Sequence, residues 1–252
     1  MSVNESYKKS SLDILSQHVN NLRSLTLQTL DYATGYRLQL YAPFVSFPRH
    51  KLVFLAVPRS GSTSMEYMLT PLLGNGLDFG SPRFQHTFRH YMRSCSPREV
   101  VTRYNHFFKW AFVRNPWTRL YSCYLTRVRR RPNRYFRYHG LDKCKTFADF
   151  VLRICDIPDR RADSHFISQA YLLTYKDRFL PDQVCRFETY REDCRRIRKI
   201  VEDKTGIRLL ELPHYYKTAS EDYREAYSPR LVELVGVRYR EDCRLFGYTY
   251  PG

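Results

Sequence analysis

Two short apolar runs, each followed by a polar turn, organise the middle of the chain. Residues 51–57 (KLVFLAV) and 107–113 (FFKWAFV) are almost continuously apolar, which is typical of strands that are buried on both faces. The first run ends at Pro58, and helical periodicity resumes over residues 65–73. The second run is followed by Asn115-Pro116, an N-cap residue before a proline, which predicts a helix over residues 116–129.

Patterns on either side of these units predict further elements. The apolar spacing of residues 11–40 favours an amphipathic helix, and Ser96 to Glu99 (SPRE) is a capping-box sequence that opens a short helix. Farther along the chain we expect a helix over residues 147–155, a strand over 183–187, and helices over 189–204 and 228–245. The arginine-rich residues 127–137 (RVRRRPNRYFR) have the pattern of an exposed loop.

This alternation of strands and helices defines a fold class. It predicts an α/β protein with a P-loop-like, three-layer fold, in which helices flank a mainly parallel central sheet. The length of 252 residues suits one domain over residues 1–252, with residues 1–48 as a helical N-terminal extension packed on it.

The charge of the chain changes the picture of its partners. The sequence has 42 Lys and Arg against 25 Asp and Glu, a net charge of +17, and 32 of the 42 cations are arginines. A guanidinium group pairs with phosphate or sulfate through two hydrogen bonds. The excess therefore favours an anionic partner, such as a nucleic acid, a nucleotide, an acidic glycan or a membrane surface, unless it only makes the surface soluble. A hydrophobic content of 43% excludes a disordered chain.

Cysteines and apolar segments bear on location. Seven cysteines without a CxxC pair favour neither a disulfide framework nor a zinc ribbon. No segment approaches the roughly 20 apolar residues of a membrane span. We therefore expect a cytoplasmic protein with free thiols and no membrane span.

The turn after the first apolar run has the composition of a phosphate-binding loop. Residues 57–64 (VPRSGSTS) combine a glycine and small hydroxyl residues with Arg59, a charge that packing explains poorly and an anionic ligand explains well. The Walker sequence GxxxxGK[ST] is missing, which weakens a kinase or ATPase interpretation.

The second strand supplies a matching pair. Arg114 lies at its carboxyl end, and Ser122 follows two helical turns later. Since ligands of open α/β sheets bind outside the carboxyl ends of the strands, we expect these residues and the turn at Arg59 to form one pocket.

These two segments, PRSGSTS and FVRNPWTRLYSCY, resemble the cofactor motifs of sulfotransferases that use 3'-phosphoadenosine 5'-phosphosulfate (PAPS). The form is similar to the carbohydrate branch, which includes heparan 2-O-type and HNK-1-type enzymes and bacterial relatives. Residues 165–169 (HFISQ), 186–188 (RFE) and 239–248 (YREDCRLFGY) also look similar, so the resemblance runs from about residue 50 to the C-terminus.

The resemblance implies a function and a set of site residues. The chain would transfer a sulfuryl group from PAPS to a hydroxyl or amine of a saccharide or small-molecule natural product, leaving the product PAP, without a metal. Arg114 and Ser122 would bind the 3'-phosphate. The 5'-phosphosulfate would be held by Arg59, Ser60, Gly61, Ser62, Thr63 and Ser64. Many relatives have a lysine in place of Arg59, so Arg59 is either catalytic or only electrostatic.

Histidines are the candidates for the base that accepts the proton of the acceptor. The family has its proposed base between the two motifs, which makes His86 the first candidate and His90 the second. His90 and His165 are also candidates for binding the acceptor or, for His165, the cofactor. His50 and His106 precede strands, and we expect them far from the pocket.

Three other interpretations stay open. Arginines interleaved with aromatic residues suit a nucleic-acid-binding protein, although no nucleic-acid motif with a recognised spacing is present. A divergent P-loop kinase and a degenerate sulfotransferase fold that serves as an interaction module are the others. We expect no nucleic-acid partner.

Overall fold

The computed structural model describes residues 44–74, 92–212 and 223–251. Its strands are β1 (Phe44–Phe47), β2 (Leu52–Phe54), β3 (Arg93–Cys95), β4 (Phe108–Val113), β5 (Thr174–Tyr175), β6 (Arg178–Phe179) and β7 (Gln183–Arg186). Its α-helices are α1 (Ser62–Met68), α2 (Pro97–Thr102), α3 (Pro116–Cys123), α4 (Arg134–Tyr138), α5 (Phe147–Cys155), α6 (Gln169–Leu172), α7 (Tyr190–Thr205), α8 (Pro229–Arg238) and α9 (Arg240–Phe246).

Short tighter or wider helical turns join several of these elements. A π-helical turn, Tyr124–Val128, continues α3. The 3₁₀ turns are Pro48–His50, Thr70–Leu73, Leu141–Lys143, Asp159–Arg161 and Tyr223–Ala226.

The central sheet has the strand order β3-β1-β2-β4-β7, and β5 and β6 form a separate hairpin. β2 pairs in parallel with β4, and β4 with β7, whereas β1 is antiparallel to both β2 and β3. Four of the five strands therefore run in one direction, and only β1 opposes them. The sheet is mixed, although mainly parallel in strand direction as the sequence predicted.

Alternating side chains of the central strands supply two hydrophobic cores, one on each face of the sheet. Val53, Leu55 and Val57 belong to one core, and Leu52, Phe54 and Ala56 to the other. Successive residues of a strand point to opposite faces, so an unbroken apolar run fits a strand that is covered on both sides. The first core includes buried residues of α3, α5 and α8, and the second those of α1 and α7. The result is a helix–sheet–helix arrangement.

The helices that follow β2 and β4 pack on opposite faces of the sheet. Met65 and Met68 of α1 lie in one core, whereas Trp117 and Leu120 of α3 lie in the other. Because β2 and β4 are parallel neighbours, their carboxyl ends lie side by side where the two helices diverge. Such a divergence leaves a crevice at the edge of an α/β sheet, which is where ligands bind.

Several predicted elements are confirmed. Ser96 caps α2 through a capping box: its hydroxyl accepts from the Glu99 amide at 3.2 Å, and the Glu99 carboxylate accepts from the Ser96 amide at 2.8 Å. Helix α5 has the expected bounds, and α7 is closed by Gly206 directly after its last residue, with a left-handed φ of 68°.

Two expectations about the second half of the chain were wrong. The expected helix over residues 228–245 is two helices, because the backbone breaks at Tyr239, whose buried hydroxyl donates to the Phe166 carbonyl at 2.6 Å. The arginine-rich residues 127–137 are not simply a loop, since they include the end of the π turn and most of α4. Asn133 accepts from the Phe136 amide and caps α4, a local signal that the charge pattern hid.

Only the last residues of the expected N-terminal extension belong to the described part of the chain. Residues 44–47, within the segment for which we expected a helical extension, form β1, and the rest of that segment, including the helix expected over residues 11–40, lies outside the described residues. Among the helices that the structure describes, none has the length and apolarity that a membrane crossing requires.

Candidate active site

The turns that follow β2 and β4 touch each other at the edge of the sheet. Arg114 Nη1 donates to the Arg59 carbonyl at 3.2 Å. The Arg59 side chain in turn reaches α3, where its Nη2 and Nε donate to Ser122 Oγ at 2.6 and 3.2 Å. The sequence expectation that Arg59, Arg114 and Ser122 lie together is met, but Ser122 is bonded to Arg59, and Arg114 Nε donates instead to Thr118 at 3.0 Å.

The turn at residues 58–61 has an unusual backbone. Arg59 has a φ of 74° and Gly61 a φ of 82°, both in the left-handed region. For a residue with a Cβ, that conformation costs on the order of 1–2 kcal/mol, and such residues are enriched at active sites and ligand-binding turns. Helix α7 braces the turn from outside, since the Tyr190 hydroxyl donates to the Gly61 carbonyl at 2.7 Å.

The site carries two half-buried positive charges, Arg59 and Arg114. Burial lowers the pKa of Arg59, and burial together with the neighbouring Arg59 lowers the pKa of Arg114 to about 10. Among the described residues, no carboxylate lies within ion-pair distance of either guanidinium group. The nearby Glu188 carboxylate accepts instead from the Asn115 amide at 2.7 Å and the Tyr248 hydroxyl at 3.0 Å. Arginines held together in this way favour an anionic ligand.

An aromatic ring completes the environment of Arg114. The Arg114 guanidinium carbon lies 4.3 Å from the centre of the Phe187 ring, which directly follows β7. This cation–π contact fixes the plane of the guanidinium group without neutralising it.

A third arginine, Arg119, is buried beneath the turn and donates hydrogen bonds to backbone carbonyls. It is 1% exposed, and it donates to the carbonyls of Pro58 at 3.0 Å, Ser164 at 3.1 Å and Ile167 at 2.7 Å. Arg119 was not identified from the sequence. The available signal was its position on the apolar side of α3, where a charged side chain needs buried hydrogen-bond partners.

Gln169 is a second residue that sequence reasoning missed. Its amide oxygen accepts from the Arg114 amide at 2.9 Å and from the Ser60 hydroxyl at 3.3 Å, so one side chain contacts both turns. The resemblance of residues 165–169 to the family was the available signal.

His165 lies between an acid and an arginine. Its Nδ1 is 2.5 Å from Asp163 Oδ1, and its Nε2 is 2.8 Å from Arg127 Nη2. Because a guanidinium only donates, Nε2 must accept, and we assign the ring proton to Nδ1, which donates to Asp163. Burial lowers the pKa of His165, with Arg127 and Arg59 acting in the same direction against Asp163, so the ring is neutral at pH 7.

The remaining predicted residues are distributed as follows. Ser62, Thr63 and Ser64 form the first turn of α1 and are half-buried. His50 and His106 precede β2 and β4, at the amino ends of these strands as expected. His86 and His90 lie outside the described residues.

The described residues contain neither a cluster of metal ligands nor a disulfide. Over the described ranges, no three His, Cys, Asp or Glu side chains are grouped so that they could hold a metal ion. All seven cysteines are described, and all are free. Burial raises the pKa of the Cys123 thiol, which lies near Arg59, to about 12 and keeps it protonated.

Comparison with known proteins gives consistent matches. The model of the sulfotransferase family matches residues 42–249. Carbohydrate sulfotransferase 10 of Gallus gallus is 26% identical over 267 residues, covering 92% of this chain and 73% of that protein. Carbohydrate sulfotransferase 14 of Homo sapiens is 25% identical over 242 residues, covering 88% of this chain and 64% of that protein. No solved structure matches the chain significantly.

Proposed function

The chain belongs to the sulfotransferase family and is a transferase, and from this premise we propose that it moves the sulfuryl group of PAPS to a saccharide acceptor. The acceptor atom would be a hydroxyl or an amine, and a small-molecule natural product is the other acceptor class. The names of the relatives, which are carbohydrate sulfotransferases, support the saccharide. A P-loop-like arrangement of the sheet and first turn is part of this proposal.

One observation carries the proposal. Arg59 and Arg114 are half-buried on neighbouring turns at the carboxyl ends of β2 and β4, Arg114 donates to the Arg59 carbonyl, and among the described residues no carboxylate lies within ion-pair distance of either. A nucleotide with phosphates at both ends of its ribose would neutralise both groups at once.

Each of the two turns would bind one end of the nucleotide. Arg59 and the following residues through Ser64 would hold the 5'-phosphosulfate, and Arg114 the 3'-phosphate. Ser122 accepts two N–H groups from Arg59, so its own O–H would be directed at a phosphate oxygen. Ser122 would thus orient Arg59 as well as bind the ligand.

Sulfuryl transfer needs little from the protein beyond position and charge. PAPS supplies the sulfuryl group, whose bond to the 5'-phosphate oxygen breaks as the acceptor oxygen or nitrogen bonds to sulfur. His86 would take the proton of the acceptor, with His90 as the second candidate. Arg59 would donate a hydrogen bond to the phosphate oxygen that leaves the sulfur. Because the guanidinium group keeps its proton, the contribution of Arg59 to catalysis would be electrostatic.

His165 would act on the acceptor side through Arg127. Its neutral ring accepts from Arg127 and is oriented by Asp163, so the guanidinium group is held beside the site. The segment that follows Arg127 is rich in exposed arginines and would contact the acceptor.

The test combines transfer with nucleotide binding. PAPS carrying labelled sulfate should label acceptors in a panel of saccharides, and PAP should bind more tightly than adenosine 5'-phosphate. The Arg114→Ala variant should weaken PAP by about 10- to 100-fold, since a charged hydrogen bond contributes about 1.5–3 kcal/mol, and should change adenosine 5'-phosphate little.

The matched control is Arg195→Ala, which removes an exposed arginine from α7. It should bind both nucleotides as the unaltered protein does. Equal weakening of both nucleotides by Arg114→Ala would overturn the role of Arg114, and absence of both label transfer and PAP binding would overturn the proposed function.

A further inference from the structure

The side-chain amide of Gln169 is fully satisfied, and most of its bonds go to the two turns. Its oxygen accepts from Ser60 and from the Arg114 amide, and its nitrogen donates to the Arg114 carbonyl at 2.7 Å and to Asp242 Oδ2 at 3.2 Å. The residue is completely buried. An amide offers two donors and an oxygen that accepts twice, so no capacity is left over.

Asp242 of α9 determines which way this amide faces. Its carboxylate is completely buried, and it accepts from the backbone amides of Gln169 at 3.0 Å and Ala170 at 2.7 Å and from the Ser168 hydroxyl at 2.7 Å. Burial raises the pKa of Asp242, while these donors and Arg119 oppose the shift. A carboxylate only accepts, so the Gln169 nitrogen must face it and the oxygen must face Ser60 and the Arg114 amide.

The contacts of Gln169 on the two turns differ in kind. On the second turn it pairs with both the N–H and the C=O of Arg114, as a neighbouring strand would, which fixes the backbone there. On the first turn it accepts from the Ser60 side chain, which is also completely buried. Gln169 therefore links the two turns through a side chain that belongs to neither, in addition to the direct bond from Arg114 to the Arg59 carbonyl.

We propose that Gln169, oriented by Asp242, is a positioning residue that sets the separation between the two phosphate-binding turns. This inference rests on the proposed function, because the separation matters only for a ligand that spans both turns. A nucleotide with two phosphates gains from having both sites at the right distance before it binds, whereas a nucleotide with one phosphate occupies only one turn.

The test uses Gln169→Glu, which keeps the shape of the side chain and removes its two N–H donors. The new carboxylate would face the Arg114 carbonyl and Asp242, and both would repel it. Three probes are titrated against each protein: PAP, adenosine 5'-phosphate and adenosine 3'-phosphate. We expect the Kd of PAP to rise at least tenfold and those of the two monophosphates to change less than threefold. The KM for PAPS should rise, and that for the acceptor should not.

Ser168→Ala is the matched control. It removes the hydroxyl that donates to the same carboxylate at 2.7 Å and caps α6 by accepting from the Tyr171 amide at 3.2 Å, but that hydroxyl is not hydrogen-bonded to Ser60 or Arg114. It should lower the melting temperature without changing the affinity for PAP. A second variant, Asp242→Asn, removes the carboxylate that fixes which way the Gln169 amide faces, and it adds no charge. It should show the same selective loss of affinity for PAP, by about three- to tenfold.

The outcomes separate the two proposals. If the unaltered protein fails to bind PAP, the proposed function is wrong. If it binds PAP and Gln169→Glu binds PAP equally well, or weakens all three nucleotides equally, the positioning role is overturned. If neither variant gives native circular dichroism, Gln169 and Asp242 are folding determinants, and the positioning role is likewise rejected.

Discussion

Gly61 is the position at which the structure allows a substitution to be worked out in most detail. A Cβ added there would lie 2.4 Å from Tyr190 Cε2 and 2.8 Å from Tyr190 Cζ, closer than carbon atoms approach. The ring cannot simply turn away, because its hydroxyl is bonded to the Gly61 carbonyl and its faces pack near Phe112 and Phe187, with centroids 4.9 and 5.5 Å away.

The Gly61→Ala variant therefore combines three costs. A left-handed residue with a Cβ costs about 1–2 kcal/mol, overpacking about 1–3 kcal/mol, and a lost hydrogen bond about 1 kcal/mol. We expect a loss of about 3 kcal/mol or more in the free energy of unfolding. For a protein of this size, that corresponds to a fall of about 6–12 °C in melting temperature. Because the turn must shift, the affinity for PAP should fall at least tenfold.

Thermal unfolding followed by circular dichroism and PAP titration measure both effects. Tyr190→Phe is the control, since it removes only the hydroxyl and should cost about 1 kcal/mol. The double variant Gly61→Ala/Tyr190→Leu removes the clash, so it should be more stable than the sum of the single variants predicts. A melting temperature for Gly61→Ala within 2 °C of the unaltered protein, or additive costs in the double variant, would refute this reasoning.

Two histidine substitutions test the acid–base chemistry. His86→Ala should abolish turnover while leaving PAP binding near normal; turnover that persists would move the base to His90 or His165. The pKa of His165 is lowered in the folded protein, so the unfolded chain takes up the proton first and stability falls as the pH drops below about 6.5. His165→Gln can keep both contacts but cannot titrate, so its melting temperature should fall less steeply than that of the unaltered protein as the pH is lowered from 7.5 to 5. An identical slope contradicts this assignment.

The elements that were predicted correctly carry their signal locally. β2 and β4 are buried on both faces, so their runs are almost continuously apolar, and the capping residues Ser96 and Asn115 mark helix starts within a few residues. β1 (FVSF) and β3 (RSC) were missed because neither continues into a longer apolar run, and their pairing is decided by tertiary contacts.

The site was only partly predictable for the same reason. Arg59, Arg114 and Ser122 follow from motif composition and family resemblance. Gln169 and Tyr190 act on the first turn from 109 and 129 residues away, a relation that no local pattern encodes. The roles of His86 and His90 and the cytoplasmic location stay predictions.

The π-helical turn Tyr124–Val128 has a consequence for the geometry of the site. In an uninterrupted α-helix each residue advances by a fixed angle of about 100°, so the direction of Ser122 would dictate that of every later side chain. The wider turn breaks this phase relation, and Arg127 meets His165 while Ser122 still meets Arg59. Under the proposed function, the contact of Arg127 on the acceptor side and the contact of Ser122 on the phosphate side would therefore be set by separate turns of one helix.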